Sequence, residues 1–342
     1  MKAMVLVSIC DIRENPEPLT LEQLPVPEPE PGEVLMKVLA CGVCHTELDE
    51  IEGRTAPPVL PVIPGHEVIG RIVKAGAGVE SGRIGERAGV GWFYSSCGHC
   101  RYCTERNENL CSEFKATGRD ADGGYAEDMT VPASSAFPVP EYLDDTQAAP
   151  LLCAGAIGYR SLRLTGITNG DSLGLTGFGG SAHLVLKIVR FRYPDTEVFV
   201  FARNQYEREF ATELGAVWTG DTAEKSPVRL NSIIDTTPVW KPVVEAMRNL
   251  APGGRLVINA IRKESADLDY LLRISYPEHL WMEKEIKSVA NVSKRDITEF
   301  LQLAGEMKIQ PEIEEYPLEN ANQALAELRE GNVRGAKVLH IS

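Results

Sequence analysis

Four cysteines lie within fifteen residues of one another and have the spacing of a metal site. Four thiolates can fill every position around one tetrahedral Zn²⁺, which is the closed, structural type of site. C-x2-C-x2-C also occurs in ferredoxins, but no proline follows the fourth cysteine and the chain has no second cluster of this kind. The spacing therefore predicts a structural zinc site, with free or disulfide-paired thiols as the alternative. The cysteines form C-x2-C-x2-C-x7-C: Cys97, Cys100, Cys103 and Cys111.

A second group of thiols and imidazoles is spread more widely along the chain. The segment C-G-V-C-H-T-E occupies residues 41–47, Gly65-His66-Glu67 follows about twenty residues later, and Cys153 lies beyond the four-cysteine segment. Two thiolates and one imidazole can leave the fourth position of a zinc ion open for water or substrate, which is the catalytic type of site. Taken singly, His66 is interpreted as a core or surface histidine and Cys153 as a small buried hydrophobe. The combination favours a catalytic metal site.

A glycine-rich segment at residues 177–182, Gly-Phe-Gly-Gly-Ser-Ala, fits the pattern G-x-G-x-x-G/A. It follows an apolar run at 171–176 and precedes a helical stripe at 184–189, which is the context that a dinucleotide-binding turn requires. The glycines permit a tight turn and a close backbone approach, and a helix N-terminus favours the pyrophosphate charge. Ala182 fills the third small position. The residues assigned to cofactor binding here are Gly177, Gly179, Gly180, Ser181 and Ala182.

The residues after the next apolar run bear on the choice of cofactor. An NAD-binding protein normally places Asp or Glu there to bind the ribose 2′-hydroxyl, but this chain has Ala202-Arg203-Asn204. A carboxylate would repel a 2′-phosphate, whereas a guanidinium can hold it through charge-assisted hydrogen bonds. The sequence therefore predicts a preference for NADP(H) over NAD(H). The alternative is that Arg203 is a solvated loop residue and that both cofactors bind.

Two patterns of elements must position these residues. Prolines in the first thirty residues, an apolar run at 34–40 and glycine with β-branched residues at 63–73 predict a β-rich, barrel-like domain. From residue 171 onward, strand-like and helix-like segments alternate, which predicts an α/β domain with a doubly wound parallel (Rossmann) sheet. The predicted strands are 171–176, 197–201, 232–235 and 255–260, and the predicted helices include 184–189, 205–214 and 243–250.

Composition narrows the class of protein. The chain has 342 residues, 35 Lys plus Arg and 49 Asp plus Glu, which gives a formal net charge of −14. An acidic chain is a poor sequence-independent binder of nucleic acid, which requires clustered basic residues. The chain has no run of about 18 apolar residues, so no membrane span is predicted. Residues 1–7 do not have the pattern of a signal peptide. We therefore expect a cytoplasmic protein that binds neither nucleic acid nor a membrane.

The ordered motifs resemble those of the zinc-dependent medium-chain alcohol dehydrogenases, within the medium-chain dehydrogenase/reductase group. The resemblance covers essentially the whole chain and includes Gly-Gly-Tyr-Ala-Glu at 123–127 beside the cysteine and glycine motifs. Leu-Leu-Cys-Ala-Gly at 151–155 and Gly158-Tyr159 are most similar to the bacterial branch related to cinnamyl-alcohol dehydrogenases and broad-range aldehyde reductases. The resemblance implies a GroES-like catalytic domain, two Zn²⁺ per chain and a nicotinamide cofactor.

Roles follow from the resemblance position by position. It makes Cys44, His66 and Cys153 ligands of the catalytic zinc, with Glu67 beside the metal and Cys41 and Cys10 outside the ligand set. Glu47 stands where the family usually has Asp and would orient a ligand imidazole.

Thr46 would take the alcohol proton, and Asp49 stands where many relatives have a relay histidine, the alternative being transfer through water. The resemblance also places His45 and Arg334 at the cofactor pyrophosphate, with a solvated surface position as the alternative for each. It places Ile51 and Trp92 in the lining of the substrate pocket, with an ordinary core position as the alternative.

The expected protein interconverts a primary alcohol and its aldehyde with NADP(H) and forms a homodimer or homotetramer. Its catalytic domain would comprise residues 1–153 and 292–342, with a structural zinc lobe at about 92–115, and its Rossmann domain residues 154–291. A polyol or other specialised dehydrogenase on the same scaffold remains an alternative, as does a non-catalytic zinc-stabilised dinucleotide-binding protein. The sequence assigns no role to Trp281 or to the segment 262–279.

Overall fold

The computed structural model describes residues 1–331 and 335–341. Within these ranges the strands are β1 (Lys2–Leu6), β2 (Leu19–Gln23), β3 (Glu33–Val43), β4 (Val68–Ala75), β5 (Arg87–Val90), β6 (Phe93–Ser95), β7 (Lys115–Ala116), β8 (Asp128–Pro132), β9 (Phe137–Pro138), β10 (Ser172–Thr176), β11 (Glu197–Phe201), β12 (Trp218–Gly220), β13 (Leu230–Asp235), β14 (Leu250–Ile258), β15 (Glu285–Ser288), β16 (Ile313–Pro317) and β17 (Ala336–His340). The α-helices are α1 (His45–Ile51), α2 (Arg101–Thr104), α3 (Asp145–Ala148), α4 (Ala154–Thr165), α5 (Gly180–Arg192), α6 (Gln205–Glu213), α7 (Trp240–Met247), α8 (Lys294–Met307) and α9 (Ala321–Glu330).

The chain divides into two compact units. The first comprises Met1–Ala156 and Val292–Ser342, and the second comprises Ile157–Asn291. We call them the β unit and the α/β unit. No helix in the described part of the chain has both the length and the apolar character needed to cross a membrane.

The α/β unit is built on a six-stranded parallel sheet with the order β12-β11-β10-β13-β14-β15. Residues Val198 to Phe201 of β11 are each at most 2% exposed, because strands of a parallel sheet are covered on both faces. Strand order runs outward in both directions from β10 and β13, which makes the carboxyl ends of these two strands the topological switch point. This arrangement confirms the doubly wound parallel sheet predicted from the alternating pattern.

The β unit contains a seven-stranded sheet with the order β16-β17-β3-β4-β5-β9, and β8 also pairs with β3. The eleven-residue strand β3 is central and almost wholly buried. A separate two-stranded ladder, β6 with β7, joins the two ends of the segment that carries the four closely spaced cysteines. This ladder closes a small lobe at residues 93–116.

Some element boundaries differ from the sequence predictions. The helix predicted at 243–250 is α7, which begins at Trp240 and ends at Met247, because Leu250 already belongs to β14. Helix α8 received no specific prediction, although Ser293 and Asp296 form a capping box at its start. The first difference is one of helix boundaries, whereas the second is a whole helix whose start is marked by the local capping pattern.

Candidate metal and cofactor sites

Helix α1 begins directly after Cys44, and the side chain of Glu47 caps its N-terminus. The backbone N–H of Cys44 donates to Glu47 Oε2 over 2.9 Å, as in a capping box. Thr46 lies in the same first turn, with its Oγ1 3.7 Å from the sulfur of Cys44. The local sequence C-H-T-E therefore places a thiol and a hydroxyl side by side at one helix end.

Residues far apart in sequence join Cys44 in a compact cluster. His66 and Glu67 directly precede β4, and Cys153 follows a 3₁₀ turn at Ala149–Leu152. One ligand atom from each of Cys44, His66, Glu67 and Cys153 lies within 4.8 Å of the others. The two sulfurs are 3.9 Å apart although their residues are 109 positions apart in the chain.

The imidazole of His66 is oriented for metal binding. Its Nδ1 lies 2.5 Å from Glu47 Oε1, and both side chains are fully buried. Its Nε2 is also buried and has no hydrogen-bond partner among the described residues. A buried nitrogen without a partner is costly unless something else binds it, and the thiols beside it complete an N/S donor set that suits Zn²⁺. The cluster therefore fits a catalytic zinc ion.

The electrostatics of the cluster favour a thiolate at Cys44. The hydrogen bond shared with Cys153, with His66 adding to it, lowers the pKa of Cys44 well below its usual range, and the thiolate is the form that binds metal. Burial, together with the negative Cys44, raises the pKa of Glu67 well above its usual range. Gly42 leaves space for this carboxylate, because a Cβ at residue 42 would collide with Glu67 Oε2.

The four closely spaced cysteines converge at a second point, in the lobe that β6 and β7 close. Their sulfurs lie within 4.8 Å of one another, and that of Cys103 is 3.5 Å from Cys100 and 3.8 Å from Cys97. Backbone N–H groups of His99 and Cys100 lower the pKa of Cys97 to about 6, and the N–H of Glu113 donates to the sulfur of Cys111. Four converging sulfurs with thiolate-stabilising donors fit the closed type of zinc site.

The other side chains assigned around the catalytic cluster differ in their surroundings. Asp49 is buried and accepts a hydrogen bond from the guanidinium of Arg54. His45 is exposed at the start of α1. Trp92 donates from Nε1 to Glu50 Oε1 over 3.3 Å. Ile51 is fully buried within a hydrophobic core cluster of the β unit.

The glycine-rich segment links β10 to α5 at the switch point of the parallel sheet. Gly177 has φ +74°, and a Cβ there would also press on the side chains of Thr236 and Thr237. Ala182 is completely buried where α5 packs on the sheet. Ser181 accepts a hydrogen bond from the amide of Asn259 over 3.1 Å. Gly179 and Gly180 form the start of α5, so backbone N–H groups are presented at the end of β10.

The segment after β11 presents a cation. Ala202 is buried, Arg203 is exposed, and the side chain of Asn204 caps helix α6 by accepting from the N–H of Tyr206. The guanidinium of Arg203 is therefore available to a ligand at the carboxyl end of the sheet. Arg334, assigned to the pyrophosphate from the sequence, lies outside the described residues.

Comparisons with known proteins place these sites in a family. Residues 30–141 match the family model "Alcohol dehydrogenase GroES-like domain". The chain is 41% identical to "Probable alcohol dehydrogenase AdhA" of Mycobacterium tuberculosis over 321 residues, which are 92% of this chain and 91% of that protein. It therefore belongs to the zinc-dependent medium-chain alcohol dehydrogenase family. It is also 31% identical to an alcohol dehydrogenase of Geobacillus stearothermophilus, over 96% of this chain and 98% of the other.

A solved structure of the same family agrees. A cinnamyl alcohol dehydrogenase of Sorghum bicolor superposes with a TM-score of 0.81 at 26% identity, and the match covers 98% of this chain and 97% of that one. The GroES-like domain and the family membership predicted from the motifs are thus confirmed.

Sequence analysis missed three polar residues near the sites of this family member. Glu50 is buried against Trp92, and burial raises its pKa well above the usual range. Glu207, in the first turn of α6, accepts from the N–H of Phe178 in the glycine-rich turn and lies near Arg203. Lys263, whose side chain is 7% exposed, pairs with Asp235 at the carboxyl end of β13. Each was hidden because its partner is distant in the sequence.

Proposed function

We propose that this chain is a zinc-dependent oxidoreductase that interconverts a primary alcohol and its aldehyde by hydride transfer with a nicotinamide cofactor, preferring NADP(H). The observation that carries the proposal is the cluster of Cys44, His66 and Cys153, in which Nε2 of His66 has no other partner among the described residues. Two thiols and one imidazole leave room for a substrate oxygen, unlike the four-sulfur lobe.

In this proposal, the β unit binds both metal ions and the α/β unit binds the cofactor. Cys44, His66 and Cys153, with Glu67 adjacent, would hold the catalytic zinc, and the four lobe cysteines the structural one. When bound, the catalytic metal supplies Lewis acidity that polarises the substrate oxygen, and the nicotinamide supplies or accepts the hydride. Glu47 orients the imidazole of His66 and caps the helix that carries Cys44, so one carboxylate positions two ligands.

The hydroxyl of Thr46 is the proposed proton acceptor for the alcohol. It lies beside the Cys44 sulfur on a helix turn whose backbone is capped, so its position is well defined. Asp49 follows one turn later, and Arg54 occupies one oxygen of its carboxylate. The proton would pass from Thr46 to Asp49 or to water, and Arg54 would hold Asp49 in place.

Trp92 is the proposed wall of the substrate pocket. Its indole N–H is held by Glu50, and its ring packs against Phe114 with the centroids 5.2 Å apart. A large ring fixed from two sides leaves less space for a bulky secondary alcohol than for a planar or unbranched chain. This arrangement supports a primary alcohol or aldehyde as the substrate.

The proposed cofactor preference depends on Arg203. This exposed guanidinium follows β11 at the place where a carboxylate would select the 2′-hydroxyl of NAD. The glycine-rich turn and the N-terminus of α5 would receive the pyrophosphate. His45 and Ser181 are proposed as further polar contacts to the cofactor.

Metal content measured together with aldehyde reduction tests the proposal. We expect about two zinc ions per chain and NADPH-dependent reduction within a panel of aliphatic and aromatic aldehydes. A value of about one zinc, or full metal content without turnover on any aldehyde, would contradict it. Lower catalytic efficiency with NADPH than with NADH would contradict the cofactor preference alone.

A further inference from the structure

A cationic cavity lies at the amino edge of the parallel sheet in the α/β unit. Its volume is about 250 Å³. Its walls come from the segments that lead into β13, β14 and β15, whereas the glycine-rich turn follows the carboxyl end of β10. Because these strands are parallel, the cavity and the glycine-rich turn are at opposite edges of the sheet. The cavity is therefore distinct from the proposed dinucleotide site.

Four cationic side chains and one carboxylate line this cavity, in a chain with a net charge of −14. Lys225 and Arg229 form no ion pair with any residue in ranges 1–331 and 335–341. Burial and the nearby Arg229 lower the pKa of Lys284. Clustered like charges repel one another, so an anion in the cavity would relieve that repulsion. The carboxylate is Glu278, and the fourth cation is Arg248.

Hydrogen bonds and ion pairs hold three of these four cations in place. Arg229 donates to the backbone carbonyl of Arg248, and Lys284 donates to that of Glu278 over 2.8 Å. Arg248 forms an ion pair with Glu245 over 3.0 Å and, through Nε, a second one with Glu278 Oε1 over 3.4 Å, which hold its guanidinium in the cavity wall. The cations that an anion could neutralise are therefore Lys225 and Arg229, which form no ion pair among the described residues.

The rest of the wall is apolar and includes a large ring. Trp281 lines the cavity, is 54% exposed, and packs against Tyr276 with the ring centroids 5.8 Å apart. Leu250, Pro252 and Met282 complete this side. An exposed indole beside fixed cations can stack on a planar group while the cations bind its charged end.

We propose that this cavity is a binding site for a small organic phosphate, separate from the site of the redox cofactor. Lys225 and Arg229 bind the phosphate, and Trp281 contacts the organic part. The volume of about 250 Å³ is below the range of about 300–1,000 Å³ for drug-sized ligands, which favours a mononucleotide or a phosphorylated sugar over a dinucleotide. Both of these ligand classes carry a phosphate monoester.

The test measures binding of AMP and of ribose 5-phosphate by calorimetry and by the fluorescence of Trp281. Lys225→Gln with Arg229→Gln should weaken both ligands at least about tenfold, the loss expected when charge-assisted hydrogen bonds to phosphate are removed. Lys241→Gln removes an exposed cation of the same unit that does not line the cavity, and should leave binding unchanged. Trp281→Phe should remove the fluorescence change and weaken AMP more than ribose 5-phosphate.

The outcomes separate this site from the dinucleotide site. Saturating NADP⁺ should leave ribose 5-phosphate binding unchanged, and the double variant should keep its aldehyde reduction. No binding of either ligand at millimolar concentration would overturn the proposal, as would equal binding by the double variant. AMP binding that NADP⁺ abolishes and the double variant retains would also overturn it, because that ligand would occupy the dinucleotide site.

Discussion

Nδ1 of His66 lies 2.5 Å from Oε1 of Glu47, and the other oxygen of the same carboxylate accepts the backbone N–H of Cys44. One buried side chain thus positions two candidate metal ligands from different elements. The Glu47 side chain is long enough to reach both the imidazole and the start of α1.

Replacing Glu47 should weaken the catalytic metal site. We expect Glu47→Gln to lower zinc affinity about 10- to 100-fold, because loss of the carboxylate removes the group that fixes the imidazole. Competition with a chelator would measure the affinity. Glu50→Gln changes another buried carboxylate of the same helix that is not bonded to the imidazole, and should have little effect. Equal affinities for wild type and Glu47→Gln would contradict the positioning role.

The two cysteine sites should respond differently to substitution. Cys153→Ser should abolish aldehyde reduction and remove about one zinc per chain, while the fold is retained. Cys97→Ser should destabilise the lobe by at least about 2 kcal/mol, because a structural metal contributes folding energy. Metal analysis, turnover and thermal unfolding would be measured on both variants. Loss of folding in Cys153→Ser alone would reverse the assignment of the two sites.

Arg203 should control cofactor choice. Arg203→Ala should lower kcat/KM with NADPH at least about tenfold and leave the value with NADH nearly unchanged, because only NADPH carries the 2′-phosphate. Steady-state kinetics with both cofactors would measure the change. Lys241→Ala is the matched control on the same unit. A parallel loss with both cofactors would assign Arg203 a structural role.

Glu207 provides a second test of the same site. Its carboxylate lies near Arg203 and accepts from the N–H of Phe178, and burial raises its pKa. We expect Glu207→Gln to lower KM for NADPH more than KM for NADH, because the variant removes a negative charge near the position proposed for the 2′-phosphate. Equal changes for the two cofactors would place the phosphate elsewhere.

His183 should make stability depend on pH. This histidine is fully buried in α5, and burial, with Lys187 adding to it, lowers its pKa to about 4. The unfolded chain has an ordinary histidine pKa of about 6.5, so between these values the unfolded state binds more protons. The stability present at neutral pH is therefore lost as pH falls, by about 2 kcal/mol between pH 7.5 and pH 5.

A variant isolates that contribution. His183→Phe keeps a ring beside Phe210, which lies 6.0 Å from the imidazole between centroids, and removes the titrating group. Urea unfolding at pH 7.5, 6 and 5 should show a smaller loss of stability for the variant than for wild type. Identical pH profiles would show that His183 does not contribute.

The sequence alone determined the features that depend on neighbouring residues. The four lobe cysteines span only fifteen positions, so their spacing is enough to predict convergence. The glycine-rich turn is likewise local, since Gly177 adopts a positive φ between an apolar strand and a helix. The alternation of apolar strands with helices predicted the parallel sheet, because the spacing of apolar residues along each segment shows which of its faces is buried.

Only the tertiary structure decided which distant side chains meet. The 3.9 Å approach of Cys44 and Cys153 and the contact of Glu207 with the glycine-rich turn depend on packing, as does the core position of Ile51. The cationic cavity is formed by segments that are unremarkable singly and adjacent only at one sheet edge. Residue spacing encodes local geometry, whereas strand order and packing set the long-range distances that bring these groups together.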